Sequence, residues 1–420
     1  MNDATRSRQA REARLLPGYM TAHLPGVGGR ARVVPEDFVV EELPLYGPTG
    51  EGQHTLFYIE KRGISTQRAM QQIADTVGVP QRLVASAGLK DADAVARQTL
   101  SVEGVDPQRL LAIDLPQVKV LWAERHRNRL KIGHLRGNRF TVRICDVGPE
   151  ALEPAQRILA VLQQQGAPNG FGYQRFGLRG DSHLLGHCLV QGDAQGLMQH
   201  LLGLPREEDI EPVRRARTLY EAGRYAEALE AWPHADRTER RALAILAQGR
   251  GIEVAWRQLP RWLLRLLAAA YQSWLFNRLL DERLPALGRL EQGDLAIKHD
   301  NGAFFLVEEP AAEQPRADQL EISPSGPLFG PKVRLAQGLP GERERDVLRQ
   351  EGLTLEDWRL RGVRLDGDRR PFRTPLGEVD IRYDRGLLLR FTLPAGAYAS
   401  NVLDELIKAD QHHEKDADPA

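Results

Sequence analysis

The sequence predicts an α+β fold, in which strands and helices fall into blocks instead of alternating as regular βαβ units. Two observations carry this. Over the first 165 residues, short runs of period-two alternation mix with isolated helical patterns. From residue 182 to 287 the chain is helical almost throughout, dominated by Leu, Ala and Arg, and strand patterns return at 295–307 and 387–393.

Residues 54–60 alternate and are rich in aromatic and β-branched side chains, which predicts a strand. After the Gly63 turn, Thr66 suits a helix N-cap; Met70, Ile73, Ala74 and Val77 then share one helical face, and Gly78 ends the helix. A glycine-containing loop, Ala87-Gly88-Leu89-Lys90-Asp91, leads to a predicted strand at 98–102. Phe140, Val142 and Ile144 alternate with Thr141 and Arg143, another strand, and 154–165 reads as a helix. Residues 219–229 look like half of a tetratricopeptide unit. With no second copy at the expected spacing, they predict a helix hairpin inside a larger domain.

The 420 residues, 42% hydrophobic and 27% charged, suit a soluble globular protein of two or three domains. The two cysteines, Cys145 and Cys188, form no CxxC, which speaks against a zinc module or a disulfide framework and fits a reducing compartment. Residues 1–14 are polar and mixed in charge, without a signal-peptide core. The most apolar run, 262–276, is broken by Arg265, Gln272 and Ser273 and is too short to span a bilayer. A cytoplasmic protein with no membrane partner is expected. Residues 409–420 are polar and expected to be disordered. His412-His413 within them lacks a third ligand nearby in sequence, so no metal is expected there.

Formal net charge is zero, but the charges are clustered. Residues 125–139 hold six bases, Arg125, Arg127, Arg129, Lys131, Arg136 and Arg139, and no acid. Residues 359–373 hold six Arg against two Asp. Basic patches on a neutral chain suit selective nucleic-acid binding; a solvated face is the alternative. Arg125, Arg127, Arg129 and Lys131 are the expected RNA-backbone contacts.

Asp91 is a carboxylate beside Lys90 on a glycine loop. Such a group can act as nucleophile or general base, although an Asp after a glycine turn also suits a helix cap or a solvated loop. Other segments join it: Arg32 with Pro35-Glu36-Asp37-Phe38-Val39-Val40-Glu41-Glu42, then Lys61, Gly63 and Thr66, then Gly137-Asn138-Arg139-Phe140. Pro168-Asn169-Gly170-Phe171-Gly172-Tyr173-Gln174-Arg175-Phe176-Gly177 follows, with 270–279, Ser323-Pro324-Ser325-Gly326-Pro327 and Pro394-Ala395-Gly396-Ala397-Tyr398-Ala399-Ser400-Asn401. In this order and spacing the set resembles the TruD family of tRNA pseudouridine synthases, from about Arg32 to Ile407.

The resemblance implies a pseudouridine synthase core on a mixed, mainly antiparallel sheet, interrupted by an inserted helix-rich α/β TRUD domain. The core would comprise 1–166 and 366–420, and the insertion 167–365. It implies that Asp91 is catalytic, that tRNA is the partner, and that the target is the uridine at position 13 in the D arm. It implies no cofactor and no metal, and a monomer is expected. Arg32, Phe38, Asn138, Phe140, Phe171 and Arg175 become candidate substrate-binding residues. Arg32 would orient Asp91 by a charge-assisted hydrogen bond. The three Phe rings could stack on bases or be ordinary core. Asn138 could read a uracil edge, bind the Asp91 loop or serve a turn, and Arg175 could hold phosphate or brace a domain junction. Ala92, Ala96, Gly170 and Ser400 depart from the family pattern, and the first two leave open how the Asp91 loop is braced. The rival readings are a pseudouridine synthase with another RNA target and a non-catalytic RNA-binding protein. A metal-dependent nuclease fits least, since only Asp93 accompanies Asp91.

Overall fold

The computed structural model describes residues 15–360 and 362–408. The expected disorder of 409–420, the His412-His413 pair and the polar start 1–14 lie outside the described residues. The chain forms two compact units. One holds Tyr19–Asn169 and the chain from Arg373 onward; the other holds Gly170–Phe372 and the segment before Tyr19.

The first unit is built on a sheet of nine strands among the described residues: β1 (Arg30–Ala31), β2 (Phe38–Pro44), β3 (His54–Arg62), β4 (Val84–Ser86), β5 (Val95–Glu103), β6 (Val118–His126), β7 (Leu135–Cys145), β8 (Gly377–Tyr383) and β9 (Leu387–Pro394). Their order is β8-β9-β7-β2-β5-β3-β6, with β1 on β7 and β4 on β5. All pairings are antiparallel except β2 with β5. The sheet is therefore mixed and mainly antiparallel, as the family resemblance implies.

Four helices of this unit matter for the site: α1 (Thr66–Val77), α2 (Pro107–Leu111), α3 (Leu152–Gln165) and α4 (Ala399–Ile407). The N-cap of α1 is Ser65, whose hydroxyl accepts from Arg68 N–H, and not Thr66 as the sequence suggested. Ser is the better N-cap of the two, and Thr66 is drawn inward by bonds to Lys90 N–H and Gln98. Gly78 ends the helix in the left-handed region, φ 69°, where glycine carries no Cβ penalty.

Strand register decides where the side chains go. Val40, Ala96 and Lys61 lie side by side on one face, as do Phe140 and Phe391. Toward β6 this face carries Phe57, Ile59, Leu100 and Val102, covered by Ile73 and Val77 of α1 and Leu110 of α2. Toward β9 it carries Phe38, Val40, Phe140, Val142 and Phe391, covered by Ile158 and Leu162 of α3 and Val402 and Leu406 of α4. Between the two cores sit three buried polar side chains, Glu42, Lys61 and Gln98.

In the second unit, Ser182–Gln191, Ala194–Leu202, Glu211–Glu221, Tyr225–Ala231, Arg237–Ala247, Ile252–Arg257 and Arg261–Arg283 are helices. Leu295–Lys298, Phe304–Leu306, Ile322–Leu328 and Asp368–Pro371 form a four-stranded antiparallel sheet. The tetratricopeptide-like segment is a hairpin whose Tyr220 and Ala228 pack with Trp232, Leu243 and Leu246 in a larger core. Among the described residues no helix is long and apolar enough to cross a membrane.

Phe140 is 6% exposed and packs between Phe38 and Phe391, with centroids 5.9 and 5.4 Å away. Phe140→Ala is expected to lower unfolding stability by about 3–5 kcal/mol, read from denaturant melts. A melt like the parent's would contradict its place in this core.

Candidate active site

The free edge of β5 is shared by two strands. β2 pairs with its first part, Val95 to Arg97, and β4 with Leu100 to Val102. At the split, Thr99 N–H lacks a ladder partner and donates to Glu42 Oε1 at 3.2 Å. Glu42 comes from β2, and its other oxygen receives Lys90 Nζ at 3.0 Å. Both side chains of this pair are almost fully buried. The loop carrying Asp91 emerges from this split, between β4 and β5.

Further ties hold the loop. Lys61, fully buried on β3, donates from Nζ to the Asp91 carbonyl at 2.5 Å and the Ile64 carbonyl at 2.7 Å. Burial pushes the Lys61 ammonium down to about 8, partly offset by the nearby Asp91 charge. The Thr66 hydroxyl accepts from Lys90 N–H at 2.9 Å and bonds Gln98 Oε1 at 3.0 Å. Ala87 O accepts from Gly133 N–H at 2.8 Å, and Ala94 N–H donates to Ala92 O at 2.9 Å. The loop is thus braced by side chains from β2, β3 and α1, and needs none from Ala92 or Ala96.

Arg32 faces Asp91 from the other side, Nη2 to Oδ2 at 3.1 Å. Its backbone has φ 64°, costly for a residue with a Cβ. That turn lays the guanidinium over the Phe38 ring, 3.8 Å from its centroid. The Asp91 side chain remains 41% exposed, so a ligand can reach it. Asn138 stands opposite Glu42 in register, and its Oδ1 is buried with no hydrogen-bond partner. Such an orphaned group is costly unless a ligand meets it.

The Phe rings differ from the open platforms that the sequence allowed. Phe38, Phe140 and Phe171 are all buried: the alternation of β2 and β7 turns Phe38 and Phe140 into core, and Phe171 packs edge-on against Phe276. Phe38 and Phe140 instead pack with Phe391 in the core, and Arg32 lies on the Phe38 ring. Phe171 and Arg175 belong to the second unit: Phe171 N–H donates to Asn277 Oδ1 at 2.8 Å, and Arg175 Nε donates to Ser273 Oγ at 2.9 Å.

Much of the basic run is engaged within its own unit. Arg125 pairs with Asp106, Arg127 with Glu51 and Arg139 with Glu378, while Arg129 donates to Arg82 O and Arg136 to Pro44 O. Lys131 is exposed. The motifs include Glu42, Lys61 and Lys90, but sequence reasoning gave none of the three a role of its own, and it passed over Phe391. Lys61 carried a signal, since the 54–60 alternation extends one residue to place a lysine on the buried face. Among the described residues no group of His, Cys, Asp or Glu is placed to hold a metal ion.

A family model described as tRNA pseudouridine synthase D (TruD) matches residues 17–406. The tRNA pseudouridine synthase D of Syntrophotalea carbinolica is 46% identical over 94% of this chain and 100% of its own length. That of Geotalea daltonii is 44% identical over 93% and 99%. That of Thermus thermophilus is 37% identical over 96% and 95%. A crystal structure of tRNA pseudouridine synthase D from Methanosarcina mazei superposes with a TM-score of 0.80 at 27% identity, covering 94% of this chain and 97% of that one. Fold and sequence together define a pseudouridine synthase, an isomerase. The chain belongs to the tRNA pseudouridine synthase D (TruD) family.

Lys61 yields a pH prediction. Its folded value lies near 8, below the ordinary 10.5. Between those values the unfolded chain holds a proton that the folded chain has shed, so unfolding free energy rises with pH there. Below pH 8 the cost of burying the charge is fully present. Melts from pH 7 to 10 should show this rise in the parent and not in Lys61→Met; parallel curves would contradict it.

Proposed function

We propose that the chain converts a uridine of tRNA to pseudouridine, that this uridine is U13 of the D arm, and that Asp91 is the catalytic carboxylate. The observation that carries the reading is a solvent-reachable carboxylate on a loop anchored by Glu42, Lys61 and Thr66 and faced by Arg32. The curated relatives bear the name tRNA pseudouridine synthase D, and the motifs around Asp91, Asn138 and Phe140 carry the family resemblance. The position in tRNA rests on that resemblance.

The reaction cleaves the C1′–N1 bond, turns the uracil and joins C5 to C1′. The C5 hydrogen leaves as a proton and N1 gains one, so atoms and charge balance with no oxidant or reductant. The uridine must first leave its stack. In this reading Asp91 acts at the ribose–uracil junction, and Arg32 holds the carboxylate in place by a charge-assisted bond. The orphaned Asn138 Oδ1 accepts from a uracil N–H. Phe38, Phe140 and Phe391 back the site from within the core, with the Arg32 guanidinium lying on the Phe38 ring. Arg125, Arg127, Arg129 and Lys131 exchange solvent and acid partners for phosphates. Gly170–Phe372, with Phe171 and Arg175, is the inserted domain and adds RNA contacts. The protein would work as a cytoplasmic monomer.

Asp91→Asn keeps the shape and loses the charge and nucleophilicity. It is expected to abolish tritium release from tRNA labelled at uridine C5 while leaving melting and tRNA binding intact. Activity within about tenfold of the parent, ~1.4 kcal/mol of barrier, would overturn the assignment.

A further inference from the structure

Two large aliphatic side chains stand in solvent on the loops around Asp91. Leu89, two residues before Asp91, is 66% exposed, and Ile132, between β6 and β7, is 88% exposed. Single exposed aliphatics are ordinary on a protein surface. These two are set apart by their loops, which are bonded together: Gly133 N–H, next to Ile132, donates to Ala87 O, two residues before Leu89.

The turn that carries Ile132 is folded, not slack. Leu130 is buried with Leu56 and Ala87, and its N–H donates to Ser101 Oγ at 3.0 Å. His134 N–H donates to Lys131 O at 3.0 Å, and Leu135 N–H to Gly133 O at 2.8 Å. The turn therefore holds a β-branched side chain out in water while burying its neighbour Leu130.

The charge around it is basic. Lys131 is exposed, and Arg129 donates to the neutral carbonyl of Arg82 at 2.7 Å, so that contact leaves its charge uncompensated. A polyanion that also presents flat apolar faces is a nucleic acid, and its bases stack on apolar side chains inserted between them.

We propose that Ile132 and Leu89 form a wedge that packs against the bases flanking the extruded uridine and replaces the stacking it gives up. This rests on the tRNA pseudouridine synthase reading and adds the device that opens the substrate. Leaving a stack costs a duplex or folded RNA free energy that the protein must offset. A wedge beside the catalytic loop supplies that offset where the base departs.

The test compares two RNAs, a tRNA transcript and a version with abasic residues on both sides of the target uridine, which has no stack to replace. The double variant Leu89→Ala/Ile132→Ala should melt like the parent, since both side chains are exposed. On the intact transcript its kcat/KM should fall roughly tenfold or more, about 1.4 kcal/mol of barrier per tenfold. On the abasic RNA, parent and variant should agree within about twofold, and Ile132→Met should recover most of the loss on the transcript. An active parent with an indifferent double variant would overturn the wedge alone, as would an equal loss on both RNAs. A parent that leaves the uridine of the transcript unconverted would overturn the substrate reading, and the wedge with it.

Discussion

One buried carboxylate organises the first unit. β5 changes partner along a single edge, from β2 to β4, and this leaves Thr99 N–H without a ladder bond. Glu42 fills that gap and, through its second oxygen, draws in Lys90. A buried ion pair of this kind adds little net stability, because desolvation consumes most of the attraction. Removing one partner is different: it strands a charge in the interior, at about 3–5 kcal/mol. The pair therefore specifies where the loop goes more than how firmly the sheet holds together. Asp91 follows Lys90 directly, so the placement of one dictates the placement of the other.

The remaining ties share that logic. Lys61 is kept in the interior despite a charge that burial disfavours, and it spends its donors on two loop carbonyls. Arg32 accepts a left-handed backbone so that its guanidinium can lie on Phe38 and reach Asp91 at once. Strain of this sort persists where the surroundings over-determine it. Asn138 adds an unsatisfied oxygen on the same face as Glu42. Polar groups that cost stability thus gather at one place, between two apolar cores that supply the stability.

Much of this was legible in the sequence, for physical reasons. Alternation and helical spacing reveal the α+β class, and a glycine loop between elements marks Asp91. The alternation Phe140, Val142, Ile144 already contained the core reading of Phe140, since period two turns all three to one side. What stayed hidden depends on pairs distant in sequence. Glu42 reads as an ordinary strand acid until β2 and β4 are seen to share β5. Phe391 meets Phe140 only through the register of β9 on β7. The basic run looked uncompensated because its partners Glu51, Asp106 and Glu378 lie outside it. Ser65 and Thr66 can both cap, and the stronger capping of Ser together with the tertiary demand on Thr66 decides between them.

The most direct test of the account is a double-mutant cycle on Glu42→Gln and Lys90→Met, with kcat, KM and melting measured for each protein. If the pair positions Asp91, each single variant that still folds should lose about 10²-fold or more in kcat, the scale of an ångström-sized misplacement. KM should change little, and the double variant should lose much less than the product of the two singles. A Glu42→Gln protein that melts like the parent and turns over at the parental kcat would contradict the claim that this buried pair sets the catalytic loop.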